Sequence, residues 1–377
     1  MNFELTDERR MLQDALRRYL GDTLGPELRE EIVAGERGFS DALWAGLADM
    51  GVIGALFDES RGGFGGSGFD LALVFEEIGR AGAVEPLLDT GVLAGGPLAA
   101  LGGEARTADV EALIEGRLQL ALAHGEPGAR YELERVETRA TPDGSGWRLD
   151  GQKSVVVNAP AADRLIVSAR TAGGAADRDG ISLFVVPAGT EGLALRDYPM
   201  VSGGRAAEVT LEGVAVGADA LLGEPGGAAD AIELAQARAT LAISAEALGL
   251  MESIKALTID YLRTRKQFGR PIGDFQVIQH RMVDVAIEIE QARSAVVNLA
   301  GHVDGARAER ERHVSACKEL VGRVAERVAE ESIQLHGGIG LTEEYALGHL
   351  AKRLVLVDHR FGDSMHHLER YIALAVA

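Results

Sequence analysis

Apolar residues recur at helical spacing through the first part of the chain. Thr6 can cap a helix whose first turn is acidic, and leucines follow at intervals of four residues from Leu12 to Leu20. A second amphipathic segment ends at the breaker Gly51. The pattern predicts an N-terminal helical domain over residues 1–112. Further helices are predicted over residues 71–80 and 87–101.

Near Leu113 the pattern changes to short alternating runs that are rich in β-branched residues. Turn signals such as Pro142-Asp143-Gly144 and Asp150-Gly151 separate the runs. Residues 113–217 are therefore predicted to form a central antiparallel β-domain, either a small barrel or a sandwich. The predicted strands lie in residues 118–124, 134–140, 147–149, 154–157, 164–169, 181–186 and 208–211.

Helical spacing returns after about residue 228, in segments long enough to stack as an antiparallel bundle. A turn, His-Gly-Gly-Ile-Gly, separates the last long segment from two shorter helices. The predicted fold class is thus α+β, mostly α, with a C-terminal four-helix bundle over residues 218–377. Its helices are predicted over residues 229–262, 275–303, 307–335, 342–357 and from 365 onward.

Composition narrows the class of protein. The formal net charge of −20 argues against a nucleic-acid partner and against an anionic membrane surface, since both require basic patches. The N-terminus lacks the basic and apolar regions of a signal peptide, and no run of 18 apolar residues occurs. A single cysteine, Cys317, excludes an internal disulfide and is expected to be a small apolar residue in a helix. We expect a cytoplasmic protein without a membrane span.

The most particular stretch runs from Tyr261 to Gln276 and reads YLRTRKQFGRPIGDFQ. A helix that ends on cations and breaks at Gly-Arg-Pro has ordinary helix-end chemistry, so a charged corner between two helices is one interpretation. A glycine-rich loop at residues 59–70 lacks the Lys-Ser/Thr ending of a P-loop and is a weak phosphate cradle by itself.

Six stretches in sequence order resemble the acyl-CoA dehydrogenase family, and together they span nearly the whole chain. The order R-K-Q-F-G-x-P-I-x-x-F-Q is the most specific of them. The ending LAKRLVLVDHRFGDSMHHLERY and the step Glu85-Pro86 resemble a subgroup, the small subunits of heteromeric acyl-CoA dehydrogenases. The six stretches are residues 3–20, 50–81, 126–128, 149–159, 263–276 and 333–345.

The resemblance implies an FAD-dependent oxidoreductase that oxidises acyl-CoA to 2,3-enoyl-CoA, in fatty acid or steroid side-chain degradation. In such enzymes a carboxylate removes the α-proton while the β-hydride passes to the flavin, and the protein supplies position and electrostatics. The resemblance also implies a homo- or hetero-oligomer, because in the family each FAD lies between two subunits. An electron-transfer flavoprotein is a further candidate partner.

The family's catalytic glutamate is missing at both of its usual positions. Counting without gaps from the Gly337-Gly338 turn places Phe361 at the commoner position, and counting back from Phe268 places Ala239 at the other. Neither side chain can take a proton, so no catalytic residue is predicted. A shifted alignment would put Asp363 at the first position, although Asp363 also suits an N-cap of the last helix.

The surface that the family gives to a neighbouring subunit's FAD is intact. Arginine suits a pyrophosphate because its guanidinium fork bonds two oxygens, and glycines admit phosphate close to backbone N–H groups. Arg265 as a simple helix end and Gly337-Gly338 as a simple C-cap are the alternative interpretations. The predicted cofactor-binding residues are Arg265, Phe268, Gln276, Gln334, Gly337 and Gly338.

The β-domain side of the family's flavin site is altered. The family's Thr-Glu-Pro-Gly step begins here with Gly125, and Tyr131 replaces a serine after it. Val155 and Val157 replace the ring-stacking aromatic residue and a threonine. Side chains that would donate hydrogen bonds to the isoalloxazine ring are therefore missing.

Three hypotheses follow. The chain is a base-less subunit whose partner chain supplies the glutamate, or a self-sufficient dehydrogenase or flavin oxygenase with a substitute base, or a scaffold that has lost FAD. A metal at His336, His366 and His367 is not predicted, because adjacent residues on a helix point to different faces.

Overall fold

A computed structural model of the chain describes residues 5–376. In sequence order it has helices, then an eight-stranded β-sheet, then helices again. This arrangement confirms the predicted fold class. Two units are each internally packed. One contains the N-terminal segment up to Arg29, Ser67–Ala83 and the chain from Thr240 onward, and the other contains Glu30–Gly66 and Val84–Ala239. The domain boundaries at residues 112 and 217 stay a prediction.

The helices over residues 7–23, 41–49 and 68–81 begin where a capping side chain accepts from one of their first N–H groups. Thr6 accepts a hydrogen bond from the Arg9 N–H, as the sequence predicts, and Ser67 and Asp70 form a reciprocal capping box. The helices α2 and α6 were not predicted. The elements are α1 (Asp7–Thr23), α2 (Pro26–Ala34), α3 (Asp41–Asp49), α4 (Gly68–Ala81), a π-helical segment (Leu88–Ala94), α5 (Gly95–Leu101) and α6 (Thr107–Ile114).

The single helix predicted over residues 87–101 begins instead with the π-helical segment. Pro97 has no N–H group to bond the carbonyl of Leu93, so α-helical pairing fails at this point. Gly95 allows a close approach, because a Cβ there would lie 3.0 Å from the Thr90 carbonyl oxygen. A wider helical turn accommodates both residues.

The β-sheet has eight strands in the described chain, with the order β6-β7-β3-β2-β4-β5-β8 and β1 beside β4. Apolar residues from several strands form its core, where Trp147 meets Phe184 edge to face at 5.5 Å. The strands are β1 (Leu120–Ala123), β2 (Arg139–Asp143), β3 (Gly146–Val157), β4 (Arg164–Arg170), β5 (Ile181–Pro187), β6 (Leu193–Pro199), β7 (Arg205–Val216) and β8 (Leu221–Leu222).

The sheet differs from the prediction in several details. Strand β2 covers residues 139–143 rather than 134–140, and β6 and β8 were not predicted. The runs at 147–149 and 154–157 belong to one strand, because Asp150-Gly151 forms a bulge with a register shift between Leu149 and Gly151 rather than a turn. The sheet is also not purely antiparallel, since β1 runs parallel to β4. Two other strands lie between them in sequence, which leaves enough chain for a parallel crossover.

The C-terminal helices pack around α9, which contacts α8, α10 and α11. Cys317 is buried in α9, as expected, and burial raises the pKa of its thiol to about 12. Between residues 5 and 376, no helix is long and apolar enough to cross a membrane. The helices are α7 (Ala229–Thr264), α8 (Gln276–Ala300), α9 (Arg307–His336), α10 (Ala346–His359) and α11 (Ser364–Val376).

Helices α4 and α7 meet through a pair of glycines. A Cβ at Gly79 of α4 would lie 2.0 Å from the carbonyl oxygen of Glu246, and a Cβ at Gly249 of α7 would lie 2.0 Å from that of Glu76. Each glycine therefore lets the backbone of one helix lie directly on the other. No residue with a side chain fits at either position without moving the helices apart.

Candidate functional site

The stretch after α7 forms a short β-hairpin rather than a simple corner. Strand β9 (Lys266–Gln267) pairs with β10 (Arg270–Pro271), and Phe268 and Gly269 form the two-residue turn between them. Both turn residues have positive φ, 53° and 82°. This is the geometry of a type I′ turn, which favours Asn-Gly and matches the twist of the strands.

Phe268 is an unusual residue for this turn, because its backbone has positive φ and its aromatic side chain is exposed. A bulky residue at positive φ costs roughly 1–3 kcal/mol. Its side chain is 91% exposed, so little burial within the chain offsets that cost. An exposed aromatic ring on a strained turn indicates a surface that binds something outside the chain.

Arg265 and Gln276 lie at the two ends of the same connection, and both are exposed. The Ile272 N–H donates to the carbonyl oxygen of Arg265 at 2.9 Å, which closes the base of the hairpin. A 3₁₀ turn over Ile272–Asp274 then leads into α8 at Gln276. The side chains of Arg265 and Gln276 remain on the surface.

The glycine turn begins at the end of α9. Gly337 has φ of 66°, and its N–H donates to the carbonyl oxygen of Ile333, so it is a helix C-cap. No other atom lies within 4 Å of a Cβ built on Gly337 or Gly338. Gln334, one turn earlier, is exposed as well. The two glycines thus present open backbone to the surface in addition to ending the helix.

A ring stack brings the hairpin and the glycine turn together. Tyr261, whose carbonyl oxygen accepts from the Arg265 N–H, stacks on His336 with ring centroids 4.5 Å apart. His336 donates from Nδ1 to the Ser332 carbonyl oxygen, and its Nε2 lies 3.3 Å from the Tyr345 hydroxyl. Burial lowers the pKa of His336, which favours the neutral ring. Sequence reasoning missed this stack, and its only signal was an aromatic residue one turn before Arg265.

The loop between α10 and α11 contains Phe361, the first position at which the sequence predicts the family's glutamate to be missing. Phe361 is partly buried there, with φ of 64°. Lys318 donates from Nζ to the carbonyl oxygens of Asp358 and Gly362, at 3.0 and 2.6 Å, and His367 Nε2 lies 3.0 Å from the Phe361 carbonyl oxygen. The main-chain carbonyl groups of the loop are therefore fixed by hydrogen bonds from the side chains of Lys318 and His367.

Asp363 has the structural role that the sequence suggested as an alternative. Its Oδ1 accepts from the His366 N–H at 2.8 Å, which caps the start of α11. The second position of the missing glutamate, Ala239, is fully buried in α7. Lys318 was also missed from sequence, although a lysine on the apolar face of α9 could have drawn attention to it.

A buried ion pair organises the start of the altered β-domain loop. Lys153 is fully buried and donates to Glu126 Oε1 at 2.6 Å and to the Ser168 hydroxyl at 2.9 Å. The carboxylate of Glu126 also accepts from the N–H groups of Glu137 and Thr138. These bonds fix residue 126 of the Gly125–Gly128 loop to strand β3.

Electrostatics around this pair follow from burial. Burial lowers the pKa of Lys153 to about 8 despite the attraction of Glu126. Burial alone would raise the pKa of Glu126, but the Lys153 charge and the hydrogen bonds keep it below its ordinary value. Burial and the Lys153 charge lower the pKa of His124 to about 4, and its Nδ1 lies 2.9 Å from the Ser168 hydroxyl.

Val155 is strained at the position of the missing aromatic residue. It lies at a bulge of β3 against β7, with φ of 52° and a side chain that is 58% exposed. A β-branched residue at positive φ is a true outlier. The Val155 N–H donates to Glu208 Oε1 at 3.4 Å, but the exposed valine side chain is not buried by this strained backbone.

The partly buried His124 and the buried His367, both neutral, predict acid sensitivity. Burial lowers the pKa of His367 to about 3, so the unfolded chain binds protons below about pH 6.5 that the folded chain excludes. We expect stability to fall between pH 7 and pH 5, by about 2 kcal/mol for each histidine. Urea unfolding at the two pH values measures this, and His367→Asn should reduce the difference. A stability that stays constant from pH 7 to pH 5 would contradict the prediction.

The described residues fit one side of an FAD site. Arg265 offers a guanidinium for a pyrophosphate, Phe268 an exposed ring, and Gly337 and Gly338 open backbone for a close approach. The β-domain offers the strained Val155 but no ring-bonding side chain at positions 155 and 157. These assignments remain predictions about individual residues.

Comparison with known proteins gives one consistent result. Models described as the N-terminal, middle and C-terminal domains of acyl-CoA dehydrogenase match residues 6–110, 121–214 and 227–364. Mitochondrial isovaleryl-CoA dehydrogenase of Pongo abelii is 31% identical, covering 96% of this chain and 86% of that protein. Probable acyl-CoA dehydrogenase YngJ of Bacillus subtilis is 29% identical, covering 99% and 98%.

Solved structures agree. A chain of the ChsE4-ChsE5 complex from Mycobacterium tuberculosis superposes with a TM-score of 0.89 at 26% identity, covering 100% of this chain and 99% of that one. The matches confirm the family predicted from the motifs and, with it, FAD as the cofactor. Three domain models in order and a relative above 30% identity show that the chain belongs to the acyl-CoA dehydrogenase family.

Proposed function

We propose that this chain is the base-less subunit of a heteromeric acyl-CoA dehydrogenase. It contributes one side of an FAD site, and a partner chain of the same family supplies the catalytic glutamate. The complex oxidises an acyl-CoA, of fatty acid or steroid side-chain type, to the 2,3-enoyl-CoA. A cytoplasmic location and an electron-transfer flavoprotein as electron acceptor belong to the same proposal.

One contrast carries the proposal. The exposed binding surface is intact, with Phe268 held on a strained turn, whereas Phe361 and Ala239 occupy both positions of the family's glutamate. A chain that had lost FAD altogether would have no reason to keep the strain at Phe268. A self-sufficient enzyme would need another base, and Asp363 is engaged in capping α11. The similarity to a chain of the ChsE4-ChsE5 complex supports the hypothesis of a heteromeric enzyme.

The roles of the residues follow from their chemistry. Arg265 would hold the pyrophosphate through its guanidinium group, and Gly337 and Gly338 would let the phosphates approach the backbone. Phe268 would offer its exposed ring to the cofactor, and Gln276 and Gln334 would offer polar contacts. FAD, when bound, supplies the hydride acceptor. No side chain of this subunit removes the proton.

The test compares the isolated chain with a co-expressed complex. The partner is an acyl-CoA dehydrogenase-type subunit encoded near this chain, and acyl-CoA-dependent reduction of an electron acceptor is measured. We expect turnover by the complex only, and its loss when the partner's predicted base is changed from Glu to Gln. Turnover by the isolated chain would overturn the proposal. A complex that forms but holds no flavin would favour the scaffold hypothesis instead.

Phe268→Asn separates binding from folding. Asparagine is favoured at the first position of a type I′ turn, so the thermal stability of the isolated chain should stay equal or rise. The flavin affinity of the complex should fall about tenfold, because the exposed ring is lost. Flavin absorbance per complex and the melting temperature of the chain are the two measurements.

Met11→Gln is the matched control for Phe268→Asn. Met11 is an apolar residue of α1 that is 72% exposed, so its replacement also removes exposed apolar surface. We expect unchanged flavin content for this variant. Unchanged flavin affinity in Phe268→Asn would show that Phe268 does not contact the cofactor.

A further inference from the structure

Two histidines and a glutamate converge at the connection between α8 and α9. His302 follows the end of α8, and Glu309 and His313 lie in the first turns of α9. One ligand atom from each of the three lies within 4.8 Å of the other two. His302 Nε2 and Glu309 Oε1 are already only 3.5 Å apart. This cluster has no part in the proposed FAD site.

The spacing of the three residues suits one shared ion. Glu309 and His313 are four residues apart on a helix and therefore lie on the same face. Two ligands of a tetrahedral ion at about 2.1 Å lie roughly 3.4 Å from each other. The His302–Glu309 distance matches this value. The His302 and His313 rings are stacked with 21° between their planes, so one ring has to turn about its side-chain bonds before both in-plane Nε2 lone pairs point to one ion.

Asn298 orients both imidazole rings. Its carbonyl oxygen accepts from His302 Nδ1 at 2.7 Å, and its side-chain amide lies 3.2 Å from His313 Nδ1. A half-turn of that amide presents its oxygen, which can accept from an Nδ1–H. Both histidines then keep Nε2 for a ligand. Metal-binding histidines commonly have such a second hydrogen bond to a carbonyl group.

We propose that His302, Glu309 and His313 bind one divalent transition-metal ion, with Zn²⁺ as the best match. Imidazole nitrogens with one carboxylate suit Zn²⁺ better than Mg²⁺ or Ca²⁺, which prefer sets of oxygen ligands. Three protein ligands leave a fourth position for water. The carboxylate offsets one of the ion's two positive charges.

The surroundings are compatible with a cation. An adjoining groove of about 270 Å³ contains one arginine, Arg312, which is exposed, so that solvent screens its charge. The groove is lined by Asn298, Glu309, Arg312, His313, Ala316 and Tyr371.

A bound ion would act as a clamp on the α8–α9 connection. It would join the end of α8 to the start of α9 across residues 301–306. The same connection carries Asp304, whose Oδ2 accepts from the Gly68 N–H at the first residue of α4 at 3.0 Å. The ion would therefore have a structural role. It would fix the α8–α9 connection, which in turn binds the first N–H group of α4 through Asp304.

The test uses the full chain without a polyhistidine tag. The protein is treated with EDTA, dialysed against Zn²⁺, and analysed for metal content and melting temperature. We expect about one Zn²⁺ per chain and a melting temperature about 3 °C higher than that of the metal-free protein. Co²⁺ in place of Zn²⁺ should give the visible absorption of a tetrahedral ion.

Variants identify the ligands. His302→Ala combined with His313→Ala should abolish both the bound Zn²⁺ and the rise in melting temperature, and Glu309→Gln should weaken binding about tenfold. His280→Ala removes another exposed histidine, on α8, and should bind Zn²⁺ like the unmodified chain. Equal Zn²⁺ content in the double variant and the unmodified chain would overturn the proposal, as would an unmodified chain that binds none. Metal content does not depend on flavin or on a partner chain, so this result is independent of the proposed function.

Discussion

Replacing Lys153 with methionine should destabilise the protein by about 3–5 kcal/mol, which is the usual cost of leaving one member of a buried ion pair alone. Glu126 would keep its two backbone N–H donors but lose the Lys153 ammonium group that lies 2.6 Å from its carboxylate. The Ser168 hydroxyl would lose a donor as well. Urea unfolding at pH 7 gives the free energy directly.

The double variant Lys153→Met with Glu126→Gln should recover part of this loss, because no charge remains buried and the glutamine oxygen can still accept from the backbone. Arg117→Met is the surface control, since Arg117 and Glu115 form an exposed pair. Its expected effect is below about 1 kcal/mol. A Lys153→Met protein as stable as the Arg117→Met protein would show that the buried pair contributes little.

Gly249→Ala should destabilise the protein by about 3 kcal/mol. The new methyl group would lie 2.0 Å from the Glu76 carbonyl oxygen, and a backbone atom cannot move aside without shifting α4 along its length. Gly79→Ala should have the same effect, because its methyl group meets the Glu246 carbonyl oxygen at 2.0 Å. Thermal and urea unfolding measure both variants.

Gly21→Ala is the control for the glycine contact. Gly21 lies within α1, and a Cβ there would meet no other atom within 4 Å. Alanine at this position should stabilise the helix by up to about 1 kcal/mol. If Gly249→Ala and Gly21→Ala had the same effect, the close contact of α4 and α7 would not limit side-chain size.

The spacing of apolar residues was enough to predict the long helices and most strands, because buried positions recur at regular intervals along these elements. It failed where the backbone departs from regular pairing. Asp150-Gly151 looks like a turn but forms a bulge, and Pro97 imposes a π-helical segment inside a run that reads as α-helix. Strand β6 was missed because most of its residues are exposed, so that no apolar alternation marks it.

The sequence was enough to predict which residues belong to the candidate site, but not their backbone conformation, exposure or contacts. The motif indicated Phe268, and only the structure shows the positive φ and the exposure that make it informative. Tyr261 and His336 join two segments that lie about 75 positions apart, beyond the reach of local pattern. For the histidines, sequence reasoning considered neighbours in sequence, whereas His302 and His313 meet through the fold.

The main chain around Phe361, the predicted position of the missing glutamate, is held by neighbouring side chains. Lys318 donates to the Gly362 carbonyl oxygen, and His367 Nε2 lies 3.0 Å from the Phe361 carbonyl oxygen. Asp358 Oδ1 accepts from the Ser364 hydroxyl. Gly362 is constrained, because a Cβ there would lie 2.6 Å from the His367 ring. None of these restraints involves the side chain of residue 361. An acidic residue could therefore be lost or regained there during evolution by a single substitution, without rebuilding the scaffold that would aim it.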